Sequence, residues 1–278
     1  MIQLLQIEHP VGDKFNRRTY MKTFKLFSKH VPPRVRVVIY GTHSSDWMEA
    51  LGPNAAVWNR MLSVVEVSVV GVADGPIPEP KMKGVRTVII PLMEDHAARC
   101  PAQDPALIPN ARALKILRDK GEFARFSQES GLADRCPIVY RNENVATFPC
   151  VLKRTDLNAG AGIELANSPS RLTELLEQEM WKEKPYILQE FIPGKREYVT
   201  HCVCKEGRIL WHCSYGYELG PEEYIRRPGL VPRYAKTTAS QLEEMELFLR
   251  PLHYSGPCNV DHKLTADGHI LVLEINPR

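Results

Sequence analysis

The sequence predicts an α/β protein in two parts: a small parallel-sheet unit of Rossmann-like type, then a larger half rich in antiparallel strands. Three observations carry this. Toward the N-terminus, continuous β-branched runs at Val35–Tyr40, Val64–Val72 and Val85–Pro91 alternate with helical material, the pattern of parallel strands buried on both faces. In the second half, strand-like runs follow one another closely, with a turn at Glu206-Gly207 between two of them. The chain closes on CNVDHKLTADGHILVLEINPR, Cys258–Arg278, which reads as one hairpin.

Composition narrows the function. The 278 residues suffice for about two domains, and 44% hydrophobic with 25% charged residues is ordinary for a soluble globular chain. A net charge of +3 with no run of five basic residues argues against nucleic acid. The apolar stretch Leu62–Ala73 is interrupted by Glu66 and too short to span a bilayer, and no signal pattern opens the chain. A cytoplasmic protein without a membrane partner is expected. The seven cysteines are odd in number and form no Cys-x-x-Cys pair, so reduced thiols are expected. The nine histidines show no zinc spacing.

In chain order, Tyr20, Phe24 and Phe27 place an amphipathic helix over Arg17–Lys29. The Gly41–Ser45 loop after the first strand has a single glycine and no Gly-x-Gly-x-x-Gly, a weak basis for a nucleotide site. Gly75–Pro80 is a loop, and Pro101–Pro109 joins the two parts. Asn110–Gly131 holds two helices, with Asp119 and Glu122 spaced as a capping box and Gly131 as the stop. That puts Lys120 in a first helical turn, beside donors that attract anions. Then come the strand Cys150–Arg154, the loop Thr155–Ile163 and a helix begun by Ser168-Pro169. Strands follow at Tyr186–Phe191, Glu197–Cys204 and Arg208–Tyr215. Gly216–Lys236 is long, charged and expected to be irregular, and Thr238 with Gln241 caps the last helix.

In the terminal hairpin, Asp267-Gly268 is expected to form a two-residue turn, which pairs Asp261 with Glu274 and Asn259 with Asn276. Alternation then places Val260, His262, Leu264, Leu271, Leu273 and Ile275 on a core face. Asn259, Asp261, Lys263, Val272, Glu274 and Asn276 share the other. Two carboxylates directly opposed repel by a few tenths to ~1 kcal/mol. A divalent cation reverses that sign, and oxygen-only ligands suit Mg²⁺. The alternative is a solvated face on which Lys263 neutralises Asp261.

Four pieces of the chain now line up. They are Asp119-Lys120-Gly121-Glu122-Phe123, then Val151-Leu152-Lys153 with Ala159-Gly160-Ala161-Gly162, then Gln189–Gly194 running to Glu197-Tyr198, and lastly Asp261, Glu274, Asn276 and Arg278. In this order they resemble the ATP-grasp superfamily, and the Asn-Pro-Arg ending is most similar to its carbamoyl-phosphate synthetase and biotin carboxylase branch. The resemblance runs from about Leu107 to Arg278. It implies a Rossmann-like pre-ATP-grasp domain over 1–107 and an ATP-grasp domain over 108–278, with a lid subdomain at about 138–193 and a catalytic subdomain at about 194–278.

The resemblance also implies roles. Lys120 and Lys153 would contact the ATP phosphates, under a glycine-rich lid that includes Gly160 and Gly162; alanine at 159 and 161 departs from the family's loop. Glu190, Phe191 and Ile192 match the adenine-reading hinge, and Glu197 the ribose-binding acid. Asp261, Glu274 and Asn276 match the Mg²⁺ (or Mn²⁺) positions, and Arg278 the arginine at the acyl-phosphate end. Arg226, Arg227 and Arg233 are candidates for binding a substrate carboxylate, or else a solvated basic loop.

The implied activity is that of a Mg·ATP-dependent ligase, which makes an acyl phosphate from a small-molecule carboxylate and hands it to an amine. Bicarbonate activation through carboxyphosphate and a non-catalytic ATP-binding scaffold are the alternatives. A homodimer is left open. Family members ordinarily continue past the position of Arg278 through a segment beside the acceptor site, so a longer parent chain is expected.

Overall fold

The computed structural model describes residues 34–43, 45–61, 63–73, 77, 83–100, 108–157, 161–220, 226 and 229–278. The helix expected over Arg17–Lys29 lies outside them, as do most of Gly75–Pro80 and Pro101–Pro109. The chain divides into two compact units, Met1–Leu92 with Arg99–Pro101, and Met93–Ala98 with Ala102–Arg278.

The first unit carries β1 (Val35–Tyr40), α1 (Ser45–Leu51), β2 (Val64–Val70) and β3 (Arg86–Pro91). The strands form a parallel sheet in the order β2-β1-β3. β1 reads as an unbroken apolar run because both of its faces are buried. Val37 and Ile39 pack with Met48, Leu51 and Trp58 on one side, and Val38 and Tyr40 with Val70 and Ile89 on the other. Among the described residues the sheet has three strands, fewer than a doubly wound sheet needs, so its parallel character is what is established.

The second unit begins with α2 (Glu94–Arg99), whose last residue belongs to the first unit, and continues with α3 (Ala111–Arg118) and α4 (Lys120–Glu129). Asn110 caps α3 by accepting from the Ala113 amide at 2.9 Å. Asp119 caps α4, accepting from the amides of Gly121 and Glu122 at 2.8 and 2.9 Å. Only this half of the expected capping box is seen, since the Glu122 carboxylate pairs with Arg125.

A four-stranded antiparallel sheet follows, in the order β4-β7-β5-β6. Its strands are β4 (Val139–Tyr140), β5 (Cys150–Arg154), β6 (Ile163–Ala166) and β7 (Tyr186–Glu190), with α5 (Pro169–Leu176) packed on it. Cys150, Leu152, Leu172, Leu175, Trp181 and Leu188 form its own core.

The remaining strands are β8 (Arg196–Lys205), β9 (Arg208–Glu218), β10 (Arg233–Ala235), β11 (Gly256–Leu264) and β12 (Ile270–Pro277). They form an antiparallel sheet in the order β10-β9-β8-β11-β12. The stretch expected to be irregular is therefore partly strand, since β9 runs on to Glu218 and β10 pairs back onto it. Helices α4 and α6 (Ala239–Leu249) cover one face, burying Phe123, Met245, Phe248 and Leu249 against Cys202, Val260, Val272 and Ile275. The expected capping box at Thr238 and Gln241 is present in full.

The terminal hairpin corrects the sequence reading in one respect and keeps it in another. Thr265 and His269 close the turn, with the Thr265 amide donating to His269 O at 2.9 Å and the Gly268 amide to Thr265 O at 3.0 Å. The loop thus holds three residues rather than two, and only Gly268, at φ 87°, takes the left-handed conformation. Asp267 instead accepts from the Thr265 hydroxyl at 2.5 Å. This shifts the pairing by one residue near the turn, so that His262 faces Val272. A bulge at Leu273 shifts it back, so Asp261 still faces Glu274 and Asn259 faces Asn276. The core face accordingly takes Ile270 and Val272 in place of the expected Leu271 and Leu273.

Candidate active site

The face of the five-stranded sheet opposite α4 and α6 collects the polar residues. Val199 pairs with Asp261 and His201 with Asn259, so Glu197, Val199 and His201 of β8 share a face with Asn259, Asp261 and Lys263 of β11. Glu274 and Asn276 of β12 join them through the restored register, and Tyr215 and Tyr217 of β9 through their pairing with Val199 and Glu197. One strand period therefore gathers side chains from four strands.

At the centre, Asp261 is 6% exposed and its Oδ1 is buried without a hydrogen-bond partner. The Asn276 amide Nδ2 bridges the pair, donating to Glu274 Oε1 at 3.0 Å and to Asp261 Oδ2 at 3.4 Å. Burial first, then the charge of Glu274, holds the Asp261 carboxyl well above the usual carboxylate range. Glu274 moves the other way: burial is outweighed by the Asn276 bond and by Lys153 and Lys120. An orphaned carboxylate oxygen beside a second carboxylate and an amide is the donor set a hard divalent cation takes, once the Asn276 oxygen is turned inward. Among the described residues no group of three or more His, Cys, Asp or Glu side chains is placed to hold a metal, so the amide is needed to complete this set.

The cations come from elsewhere in the unit. Lys153 lies on β5 and is buried; desolvation lowers its pKa, opposed by Glu274, Glu197 and Asp261. It therefore stands among the three acids. Lys120, at the start of α4, donates to Leu157 O at 2.8 Å and adds its charge to the field at Lys153. Between them the loop returns through Gly162 at φ 65°, where a Cβ would lie 2.6 Å from Arg154 Cγ. A residue with a side chain cannot bring the loop this close to β5.

Toward β7, the carbonyl of Ile192 accepts from Lys263 Nζ at 2.7 Å, and the ammonium lies 5.5 Å from the centre of the Phe191 ring. Lys263 thus ties down the stretch after Glu190 and does not neutralise Asp261, the alternative raised for it. Glu197 is buried, which raises its carboxyl pKa, while Arg226, Lys263 and Lys153 oppose the rise. The Arg226 amide donates to Glu197 Oε2 at 3.2 Å, its guanidinium lies 3.5 Å from Asp261 Oδ2, and it stacks over Tyr217 at 4.8 Å. At the far end, Arg278 Nη1 is bonded to Glu94 Oε1 at 2.7 Å.

No protein-family model matches the chain. It is 24% identical over 185 residues to the arginine-specific large chain of carbamoyl phosphate synthase from Bacillus subtilis, a match covering 60% of this chain and 17% of that protein. The chain thus spans about a sixth of that relative's length. Among solved structures, an L-amino acid ligase from Bacillus licheniformis superposes with a TM-score of 0.58 at 14% identity, over 89% of this chain and 68% of that one. An ATP complex of carboxyaminoimidazole ribonucleotide synthase from Aspergillus clavatus gives 0.54 at 15% identity, over 87% and 70%.

The chain has the ATP-grasp fold. Between its two antiparallel sheets Lys153, Glu197, Asp261, Glu274 and Asn276 come together. Glu190, Phe191 and Ile192 end β7 and begin the stretch that Lys263 holds. Gly160 and Arg227 lie outside the described residues. Arg233 is exposed on the edge strand β10, and Arg226 is turned into the carboxylates instead of outward. Sequence reasoning missed three features around these residues: Lys263 holding Ile192, Glu94 as the partner of Arg278, and His201 on the same face. The face assignment already carried a signal for Lys263, two residues from Asp261 on the same strand. Nothing local marks Glu94, which meets Arg278 only through the fold.

Proposed function

We propose that the chain binds Mg·ATP and acts as a carboxylate–amine ligase, converting a small-molecule carboxylate to an acyl phosphate that an amine then attacks. The observation that carries this is the buried Asp261–Glu274 pair, with an orphaned oxygen, set beside the buried Lys153. Charge moves along phosphoryl oxygens in such a reaction, and positioned cations supply most of the stabilisation. When bound, the divalent cation would screen phosphate charge between Asp261, Glu274 and Asn276. Lys153 and Lys120 would hold phosphoryl oxygens, and Gly162 would let the lid backbone approach them. Glu197 can accept from both ribose hydroxyls once the Arg226 amide leaves it. Arg278, oriented by Glu94, would face the reacting carboxylate.

We place the protein in the cytoplasm, where its seven free thiols persist. Among the described residues no helix is long and apolar enough to cross a membrane. ATP turnover that requires both an added acid and an added amine, screened over amino acids and small metabolites, tests the reading. Glu274→Ala is expected to abolish that turnover, and full turnover in the variant would refute the metal assignment. The similarity to a carbamoyl phosphate synthase chain favours a second reading, bicarbonate activation, for which ADP release with bicarbonate alone is diagnostic. ATP binding without phosphoryl transfer to any acid would return the non-catalytic scaffold.

A further inference from the structure

Amide formation has a proton to dispose of as well as a phosphoryl group to move. The amine nitrogen bonds to the acyl carbon, the bond from that carbon to the phosphoryl oxygen breaks, and phosphate leaves with the electron pair. The nitrogen must also lose a proton, or it stays cationic and the adduct reverts. Among the acids and bases already described, Asp261 and Glu274 face the metal position, Glu197 the ribose position, and Lys153 the phosphates.

His201 is left over, and it stands in a telling place. Along the polar face the residues run in order from Lys263 and Glu197 at the hinge end, through Asp261, to Asn259 and His201. One strand repeat of about 7 Å therefore carries His201 past the carboxylates, away from the nucleotide hinge and toward Arg278. Its ring is half-buried, faces Asn259 across the β8–β11 pairing and lies edge-on to Tyr215 with centroids 5.9 Å apart. Packing against Tyr215 orients the ring, and a neutral imidazole keeps one nitrogen able to accept a proton.

We propose that His201 is the base that takes the proton from the attacking amine, a role that rests on the ligase reading above. The groups around it agree. Tyr215 and Cys213 face it from β9, Asn259 from β11, Arg226 from beyond β9 and Arg278 from the end of β12, with Cys202 beside it on its own strand. Burial lowers its pKa, and Arg226 and Arg278 add to the lowering against Cys202, which favours the neutral ring that can accept a proton.

The experiment uses the full chain with an acid that supports wild-type turnover and two acceptors. One is an alkyl amine, largely protonated at neutral pH, and the other is hydroxylamine, largely unprotonated. In His201→Gln, which keeps a polar side chain of similar size, amide formation with the alkyl amine is expected to fall by about 10²-fold or more, the usual range for a lost general base. Hydroxamate formation is expected to fall far less, because the adduct of the weakly basic hydroxylamine is acidic enough to shed its proton to water. Equal losses with both acceptors, or no loss, overturn the proposal. Tyr215→Phe, which keeps the aromatic edge, separates chemistry from packing: a selective loss equal to that of His201→Gln would also overturn it. If the wild-type chain shows no turnover with either acceptor, the ligase reading fails, and this inference with it; turnover with unselective effects overturns this inference alone.

Discussion

Replacing Lys263 by Met removes one ammonium while keeping a side chain of similar length. In the native protein that ammonium is buried, bonded to Ile192 O at 2.7 Å and placed over the Phe191 ring at 5.5 Å. A hydrogen bond to a charged donor contributes about 1.5–3 kcal/mol, and a partly desolvated cation over a ring about 0.5–1 kcal/mol. Two effects offset part of this. Burial already lowers the Lys263 pKa, so removing the charge relieves a desolvation cost, and water can reach the half-buried Ile192 carbonyl. The net loss is about 1–2 kcal/mol, which in a unit of this size lowers Tm by roughly 2–8 °C. Because the freed stretch is the proposed adenine-reading hinge, nucleotide affinity should also weaken by about tenfold, or 1.4 kcal/mol. Thermal unfolding with and without Mg·ATP, together with calorimetric titration of ATP, measures both. A variant with wild-type Tm and wild-type ATP affinity would refute the clamp.

Two further outcomes follow from single positions. Gly162→Ala meets both a left-handed φ of 65° and a contact of 2.6 Å with Arg154 Cγ, so urea unfolding should show a loss of about 1–3 kcal/mol. Gly131→Ala, at φ 70° with open space around it, should lose less; equal losses would remove the close-approach argument. His262 points to the core side, stacked on Tyr198, and burial holds its pKa down at about 4 against an ordinary 6.5. Between those values the unfolded chain binds a proton that the folded chain does not, so stability should rise with pH across this window, by about 3 kcal/mol in all, and be complete above it. His262→Phe should flatten that slope in unfolding curves taken from pH 4 to 7, and an unchanged slope would assign it to other groups.

The local signals in the sequence were strong where one residue type satisfies one physical need. Asp119, Ser168 and Thr238 cap the helices that their positions predict, because a helix start needs a side-chain acceptor whatever surrounds it. The β-branched run of β1 announced a strand buried on both faces, and the hairpin pattern announced Asp261 and Glu274 face to face. Even the pairing that set those two acids face to face was legible, although the turn that produced it was not: a third loop residue and the Leu273 bulge cancel. Turn length depends on which residue closes the loop, here Thr265 through its hydroxyl, and that competes with an equally plausible Asp-Gly turn.

Tertiary structure alone decided what sits beside the carboxylates. Lys153 reaches them from another sheet, Arg226 folds back onto Asp261 and Glu197, Lys263 crosses to Ile192, and Glu94 meets Arg278 across 184 positions of sequence. Caps and strand alternation are local because backbone geometry imposes them within a few residues. Charge partners are not, because a buried ion accepts any counter-charge the packing delivers, and only the packed chain says which.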